Sequence, residues 1–151
     1  MAWRRWPVRV RHGPHMNIFI ICSKQFYDKI PLIQKELERA GHTITFPNCF
    51  DDPGEESRNR EQGVIVHGAW KAEKIRESEE KILKQDAVLV LNFEKNGIEN
   101  YIGGATFLEM YDAFRLGKKI YLINPIPEGI LKDEIIGFQP IILEGDLKNI
   151  K

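Results

Sequence analysis

The stretch that decides the fold is DAVLVLNFEKNGIENYIGGATFLEMYDAFRLGKKIYLIN, residues 86–124. It contains a continuous apolar run at 87–91, a polar loop, a glycine pair that opens an amphipathic segment, and a second apolar run at 120–123. Continuous apolar runs of this length are typical of strands that are covered on both faces, as in parallel sheets. The stretch therefore predicts a strand, a loop, a helix over 104–116 and a second parallel strand.

Strands and helices are predicted to alternate on either side of this stretch. Apolar runs at 17–22, 43–46 and 141–143 indicate three more strands, and helical spacing indicates helices at about 28–40, 64–84 and 130–136, with Asp28 as the N-cap of the first. Alternation of this kind is typical of an α/β domain. We therefore expect a single doubly wound domain, Rossmann-like or flavodoxin-like, with a five-stranded parallel sheet.

Two polar stretches interrupt the apolar pattern. Residues 49–64, CFDDPGEESRNREQGV, are rich in turn formers, and connections this long are either functional lids or disordered segments, which leaves both alternatives open. The run RESEEK, residues 76–81, is interpreted as the solvated face of the predicted helix at 64–84, within which it lies.

Length and composition exclude several classes of protein. The chain has 151 residues, 42% of them apolar and 29% charged, which is ordinary for one globular domain. No apolar run approaches the roughly 18 residues that a membrane helix needs. The two cysteines are too few for a disulfide framework and match no metal-ligand spacing, which favours a reducing, cytoplasmic setting.

The basic residues are unevenly distributed. Four of the 22 lie in residues 1–15, which hold no acidic residue, so 18 basic residues stand against 22 acidic ones in the remainder. Clustered arginine attracts phosphate, so a nucleic-acid or membrane-binding arm is one interpretation. The favoured interpretation is an appendage outside the fold, with the domain spanning 16–151 and neither nucleic-acid polymers nor membranes among its partners.

The glycine pair and the glutamate that follows it mark the candidate site. In open parallel sheets, ligands bind beyond the carboxyl ends of the strands, and the loop before Gly103 and Gly104 lies at such an end. Two glycines let the backbone approach a ligand and leave helix N–H groups free for an anion or the polar edge of a sugar. Thr106 and Glu109 also have the spacing of a capping box, so Glu109 is either a helix cap or a nucleophile.

The motifs DAVLVLN and GGATFLEMYDAFRLGKK, followed by an apolar strand, resemble the nucleoside 2-deoxyribosyltransferase family and the related deoxynucleoside 5′-monophosphate N-glycosidases. The resemblance places Glu109 at the nucleophile and Gly117-Lys118 at the closing pair of the family pattern. It implies cleavage or transfer of the N-glycosidic bond of a 2′-deoxynucleoside or its 5′-monophosphate. It also implies a small-molecule substrate, no cofactor or metal, and a homodimer or higher oligomer in which a neighbouring subunit completes the pocket.

The chain departs from the family pattern at the groups that assist base departure. The position of the family's base-handling aspartate falls at Ser78, and that of its second aspartate falls at Gly103. Asn100 is a nearby substitute, as are Glu77 and Glu79. In the first loop, Ser23 and Lys24 are suited to a phosphate, and Tyr27 and Trp70 either stack on a base or belong to the core. The predicted substrate-binding residues are Ser23, Lys24, Tyr27, Ser78, Gly103, Gly104 and Thr106, with Glu109 and Asn100 as catalytic residues.

Two other functions stay open at this stage. A nucleotide-binding module that has kept the fold without the chemistry fits the missing aspartates, because a fold alone does not establish a function. GGATFLE also resembles a shortened form of the glycine-glycine-glycine-threonine-glutamate signature of phosphoribohydrolases that act on ribonucleotides. The apolar side of the central helix fits either a helix-helix interface or burial against its own sheet; it comprises Phe107, Met110, Tyr111 and Phe114.

Overall fold

Strands and helices alternate along the chain in a computed structural model, which describes residues 15–151. The strands are β1 (Asn17–Ile21), β2 (Thr43–Thr45), β3 (Ala87–Val90), β4 (Lys119–Leu122) and β5 (Ile141–Ile142). The α-helices are α1 (Ile30–Arg39), α2 (Glu55–Glu61), α3 (Val64–Leu83), α4 (Gly104–Arg115) and α5 (Lys132–Gly137). Short 3₁₀ helices span Lys24–Lys29 and Leu147–Asn149.

The five strands form one parallel sheet in the order β2-β1-β3-β4-β5. From β1 the chain first runs outward to β2 and then returns to the other side of β1 to form β3. The crevice between the carboxyl ends of β1 and β3 is therefore the topological switch point, where ligands bind in folds of this class. The predicted five-stranded parallel sheet is confirmed.

The core has two layers, one on each face of the sheet. In β1, Ile18 and Ile20 pack with α1 on one face, while Phe19 and Ile21 pack with α3, α4 and α5 on the other. Side chains alternate between the two faces of a strand, so a fully apolar strand is one that is buried on both faces. The continuous apolar runs in the sequence are explained by this double coverage, and the doubly wound α/β class is confirmed.

The polar segment after β2 contains helix α2, so the disordered alternative is wrong, and the functional lid stays a prediction. Glu55 and Glu56 lie in the first turn of this helix and Arg58 and Arg60 in its last turn, as the helix dipole favours. None of its residues is buried, so it lacks the apolar spacing by which a helix is recognised in a sequence.

Two local predictions are wrong. Asp28 lies inside the first 3₁₀ helix and does not cap α1, whose N-cap is Lys29. The run at 76–81 is not wholly solvated, because Ser78 is only 5% exposed. Helix α3 packs against α4 as well as against the sheet, so it buries a second side that its charge pattern conceals.

The apolar side of α4 is buried in part against its own sheet, as one of the two alternatives predicted, and the helix-helix interface stays a prediction. Met110 is fully buried, but Tyr111 and Phe114 are about half-exposed. The rings of Phe107, Tyr111 and Phe114 gather around Phe138, which follows α5, at centroid distances of 5.4 to 6.4 Å. Part of this surface is therefore explained by an aromatic cluster within the domain.

At the start of the described chain, His15 and Met16 contact the sheet edge. His15 Nε2 lies 2.8 Å from Thr43 Oγ1, and the Met16 carbonyl accepts a hydrogen bond from the Thr43 N–H. The predicted arginine-rich appendage lies, apart from His15, outside the described residues.

Between residues 15 and 151, no helix combines the length and the apolar character that crossing a lipid bilayer requires.

Candidate functional site

A cavity of about 350 Å³ opens at the carboxyl ends of β1 and β3. Its walls come from the segments that follow β1, β2 and β3, from α2 and α3, and from the first half of α4. The structure brings all seven predicted substrate-binding residues into this cavity together with Glu109; they are Ser23, Lys24, Tyr27, Ser78, Gly103, Gly104 and Thr106. Asn100 does not line the cavity, so it does not lie beside the predicted nucleophile.

The carboxyl group of Glu109 is held by a side chain and not by its own main chain. The hydroxyl of Ser78 donates a hydrogen bond to Glu109 Oε2 at 3.0 Å. The N-cap of α4 is Gly103, which makes Thr106 the third helical residue and leaves no capping box in this helix. The helix-cap interpretation of Glu109 is therefore wrong, and its carboxyl is available to the cavity.

The surroundings of Glu109 favour its neutral form. Burial raises the pKa of Glu109 from its ordinary value to about 7, against the opposing effects of the Ser78 hydrogen bond and the positive charge of Lys81. The negative charge of Asp112 adds to the increase, and the positive charge of Lys71 reduces it. Glu109 is thus present in both protonation states near neutral pH, and perturbed carboxyls of this kind in a cleft mark candidate functional sites.

The beginning of α4 faces the cavity without a side-chain cap. Gly103, Gly104, Ala105 and Thr106 all line the cavity, and the first N–H groups of a helix have no partner within it. A Cβ on Gly103 would lie 3.2 Å from the Tyr101 hydroxyl, which is tighter than most such contacts, so glycine suits this position. This edge can bind an anion or the hydroxyl groups of a sugar.

A positively charged corner lies where the loops after β1 and β3 meet. Lys95 Nζ donates to Ser23 Oγ at 3.2 Å and lies 4.5 Å from the centre of the Tyr101 ring. Lys95 and Ile98 exchange two backbone hydrogen bonds around Asn96-Gly97, whose φ angles of 51° and 81° fit a tight type I′ turn. Lys24 lines the same corner, and within residues 15–151 neither lysine forms an ion pair with a carboxylate.

The opposite wall, formed by α2 and α3, is internally neutralised. Glu56 Oε1 accepts hydrogen bonds from Arg60 at 3.2 Å, His67 at 3.2 Å and Lys71 at 3.1 Å. Burial acts to raise the pKa of Glu56, but the hydrogen bonds from His67 and Lys71 outweigh it and hold the pKa below its ordinary value. Glu56 is therefore ionised and already bound to its partners.

Two aromatic residues that the sequence left as base-stacking or core residues line the cavity. Tyr27 meets Phe50 edge-on at 5.7 Å, and Trp70 stacks on His67 at 6.1 Å while its Nε1 donates to Glu55 Oε1 at 3.0 Å. Each side chain thus contacts neighbouring residues of the protein and also lines the cavity. Stacking on a base stays a prediction for both.

Several cavity residues escaped the sequence analysis. Asn48 was not singled out, although its place three residues after the end of β2 puts it at the ligand-binding edge. Asp112 follows Glu109 by three residues, a spacing that puts both on one side of a helix. Lys95 belongs to a polar loop whose Asn-Gly turn was the available signal.

The donor set of the cavity does not suggest a metal centre. Among the residues that the structure describes, no three His, Cys, Asp or Glu side chains are grouped as a metal site requires.

Fold and cavity together define a doubly wound α/β domain with a ligand-sized cavity at its switch point. Comparisons of the chain with protein-family models, with curated proteins and with solved structures found no match.

Proposed function

We propose that this protein cleaves or transfers the N-glycosidic bond of a 2′-deoxynucleoside or its 5′-monophosphate, with Glu109 as the nucleophile. One observation carries the proposal: the Glu109 carboxyl faces a cavity, and its hydrogen bond comes from Ser78 and not from its own helix. A carboxylate in that position can attack a carbon atom of a bound ligand.

The reaction proceeds in two displacements. The Glu109 carboxylate forms a bond to C1′ of the deoxyribose as the bond from C1′ to the base nitrogen breaks, and the base takes up a proton. Water or a second base then attacks C1′ of the glycosyl ester and releases Glu109, as in retaining glycosidases. The first step needs the ionised form of Glu109, which the Ser78 hydroxyl supports by donating to it.

The cavity fits a ligand of this size and polarity. Its volume of about 350 Å³ lies within the range of small-molecule sites, roughly 300 to 1,000 Å³. The uncapped start of α4 would hold the sugar beside Glu109, and the corner of Ser23, Lys24 and Lys95 would bind the 5′-phosphate.

Asp112 takes the role first predicted for Asn100. It lines the cavity one helical turn after Glu109, and burial raises its pKa against the opposing hydrogen bond from Arg115 at 3.4 Å. We propose Asp112, in place of Asn100, as the residue that contacts the departing base.

The test is to incubate the protein with the four deoxynucleoside 5′-monophosphates and to measure free base by chromatography. Glu109→Gln should reduce base release by at least about 10³-fold, or about 4 kcal/mol of barrier, while the variant still binds the nucleotides. Glu73→Gln, an exposed glutamate on α3, is the matched control and should keep the original rate.

Three other outcomes assign the alternatives. An unchanged rate in Glu109→Gln removes this residue from the mechanism. Nucleotide binding without base release by the original protein identifies a non-catalytic nucleotide-binding module. Faster release from ribonucleoside monophosphates than from their deoxy forms identifies a phosphoribohydrolase.

We also propose a homodimer in which the second copy covers the open side of the cavity. Ile75 and Leu108 line the cavity and are 42% and 43% exposed, an apolar rim that a neighbouring subunit would bury. Sedimentation should give about twice the 17.5 kDa chain mass; a monomer at micromolar concentration contradicts the proposal. A reducing, cytoplasmic setting stays a prediction.

A further inference from the structure

A chain of hydrogen bonds reaches Glu109 from the far side of the cavity wall. Lys81 Nζ donates to Asn48 Oδ1 at 2.7 Å, Asn48 Nδ2 donates to Ser78 Oγ at 2.8 Å, and Ser78 Oγ donates to Glu109 Oε2 at 3.0 Å. The chain joins the end of β2 to α3 and α4. It begins on an ammonium group and ends on a carboxylate.

We propose that Asn48, anchored by Lys81, fixes the direction of this hydrogen-bond chain and thereby favours the charged form of Glu109 that a nucleophile requires. Asn48 is then a positioning residue that acts through Ser78. The catalytic meaning of this inference rests on the proposed function, but the effect on Glu109 ionisation does not.

The amide of Asn48 can take only one orientation. Its Oδ1 faces the Lys81 ammonium, while its Nδ2 donates both to Ser78 Oγ and to the Lys74 carbonyl at 3.1 Å. An ammonium has no acceptor and a carbonyl has no donor. Exchanging the amide oxygen and nitrogen would therefore set donor against donor at Lys81 and acceptor against acceptor at Lys74.

The fixed amide in turn fixes the Ser78 hydroxyl. A serine hydroxyl carries a single proton and can accept through its lone pairs. Because Ser78 Oγ accepts from Asn48, its proton points to Glu109 Oε2. A hydrogen bond donated to a carboxyl favours the ionised form, so the chain opposes the effect of burial on Glu109.

The other groups around Glu109 do not replace this hydrogen bond. Lys71 and Lys81 act on it from α3 as charges, and Asp112 acts on it from its own helix. On the β1 side, burial raises the pKa of the Cys22 thiol to about 12. Burial also raises the pKa of the Tyr27 hydroxyl, so both groups are neutral. The strands beneath α4 contribute apolar residues. Within residues 15–151, Ser78 is the only side chain hydrogen-bonded to Glu109.

The test is a carbon-13 NMR titration of the Glu109 carboxyl in the full chain, with Glu109→Gln to assign the signal. Asn48→Ala should raise the titration midpoint of Glu109 by about half a unit to one unit, because the hydroxyl proton is no longer directed to it. In a Ser78→Ala background, Asn48→Ala should leave the midpoint unchanged, since the link between the two residues is gone.

The matched control is Asn59→Ala. Asn59 also donates from Nδ2 to a backbone carbonyl, that of Glu55 at 2.8 Å. It belongs neither to the hydrogen-bond chain that reaches Glu109 nor to the cavity lining. Its removal should not move the Glu109 midpoint. Asn48→Asp, which keeps the shape of the side chain, serves if Asn48→Ala does not fold, and should raise the midpoint further by drawing the Ser78 proton away.

The outcomes separate the two proposals. A midpoint that is equal in the original protein and the folded Asn48 variants overturns the inference, as does an equal shift in the Ser78→Ala background. If the midpoint moves as expected but no variant or original protein releases base, the chain stands and the glycosidic proposal fails. If base is released, the acidic limb of the rate profile should move by the same amount as the midpoint.

Discussion

Two glutamates face the same cavity from opposite walls and have opposite electrostatic environments. Glu56 on α2 accepts hydrogen bonds from an arginine, a histidine and a lysine, which together keep it ionised. Glu109 on α4 has one neutral donor, Ser78, and burial raises its pKa to about 7. The side chains are identical, so the difference lies in what surrounds them.

The two environments distinguish a carboxylate bound to cationic partners, Glu56, from the carboxyl that we propose as the nucleophile, Glu109. Glu56 Oε1 accepts three hydrogen bonds, so an attack by that oxygen would first require them to break. Glu109 has lost most of its hydration without gaining a cationic hydrogen-bond partner. We therefore place the proposed chemistry at the α4 wall, with Ser78 of α3 as its donor, and assign structural support to α2 and the part of α3 that contacts it.

The largest expected effect is on stability, and the two glutamates should respond with opposite signs. The pKa of Glu109 is raised on folding from 4.5 to about 7, so folding stability falls as pH rises through this range. Glu109→Gln should increase the free energy of unfolding at pH 8 by up to about 3 kcal/mol and change it little at pH 4.

Glu56→Gln should do the reverse. The pKa of Glu56 is lowered on folding, so its contribution is present above its unfolded pKa and is lost as pH falls. The variant should lose about 1 kcal/mol at pH 8 and little in acid. Urea unfolding of both variants at pH 4 and pH 8 measures these changes. If both substitutions change the free energy of unfolding at pH 8 in the same direction, the distinction between the two walls is contradicted.

The next effect is on the rate of base release. Glu109→Asp keeps the charge but withdraws it by one methylene, and a displacement of about 1 Å can reduce a rate by about 10²-fold, or about 2.7 kcal/mol. Glu56→Asp makes the same change on the other wall and should alter the rate by less than about threefold. Comparable losses in both variants, measured as kcat at pH 8, would contradict the assignment of Glu109 alone.

A smaller effect is expected at the charged corner of the cavity. Lys95 has no carboxylate partner in the described chain, in contrast to Lys71, which is bound to Glu56. Lys95→Met should reduce kcat/KM for a deoxynucleoside monophosphate by about tenfold, or about 1.4 kcal/mol, and leave that for the nucleoside unchanged. Lys35→Met, an exposed lysine on α1, is the control. An equal reduction for both substrates would show that Lys95 does not recognise the phosphate.

The smallest effect should come from Trp70 on the structural wall. Trp70→Phe keeps an aromatic ring but removes the hydrogen bond from Nε1 to Glu55. Loss of one such bond should reduce the free energy of unfolding by about 1 kcal/mol, with base release unchanged. Thermal unfolding and a rate assay test both parts, and a reduced rate with unchanged stability would make Trp70 a ligand contact instead.

The sequence predicted the parts of the molecule that depend on local apolar patterns. Buried strands and the glycine pair before α4 have signals within a few residues. These signals located the sheet, the carboxyl ends of its strands as the ligand-binding edge, and Glu109. The group that holds Glu109 was less visible, because Ser78 lies 31 residues away in a charge-rich run and is buried only by the packing of α3 on α4. Such contacts depend on tertiary structure and leave no periodic signal.

The features that the sequence did not predict lie in the polar parts of the molecule. Helix α2 was not predicted because it buries nothing, and Asn48 was not selected because its partners, Ser78 and Lys81, are some 30 residues away along the chain. Lys95 stands in a tight turn whose conformation could be predicted but whose partner, Ser23, could not.

The absence of buried residues in α2 has a consequence for hydrogen exchange. The helix is held by polar contacts to α3 and ends before Gly63, whose φ of 104° suits glycine. Its amide hydrogens should therefore exchange with deuterium through local openings that leave the sheet intact, whereas those of β1 and β3 should exchange only when the whole domain unfolds. Through such openings, α2 should expose its side of the cavity more often than α4 and the sheet expose theirs.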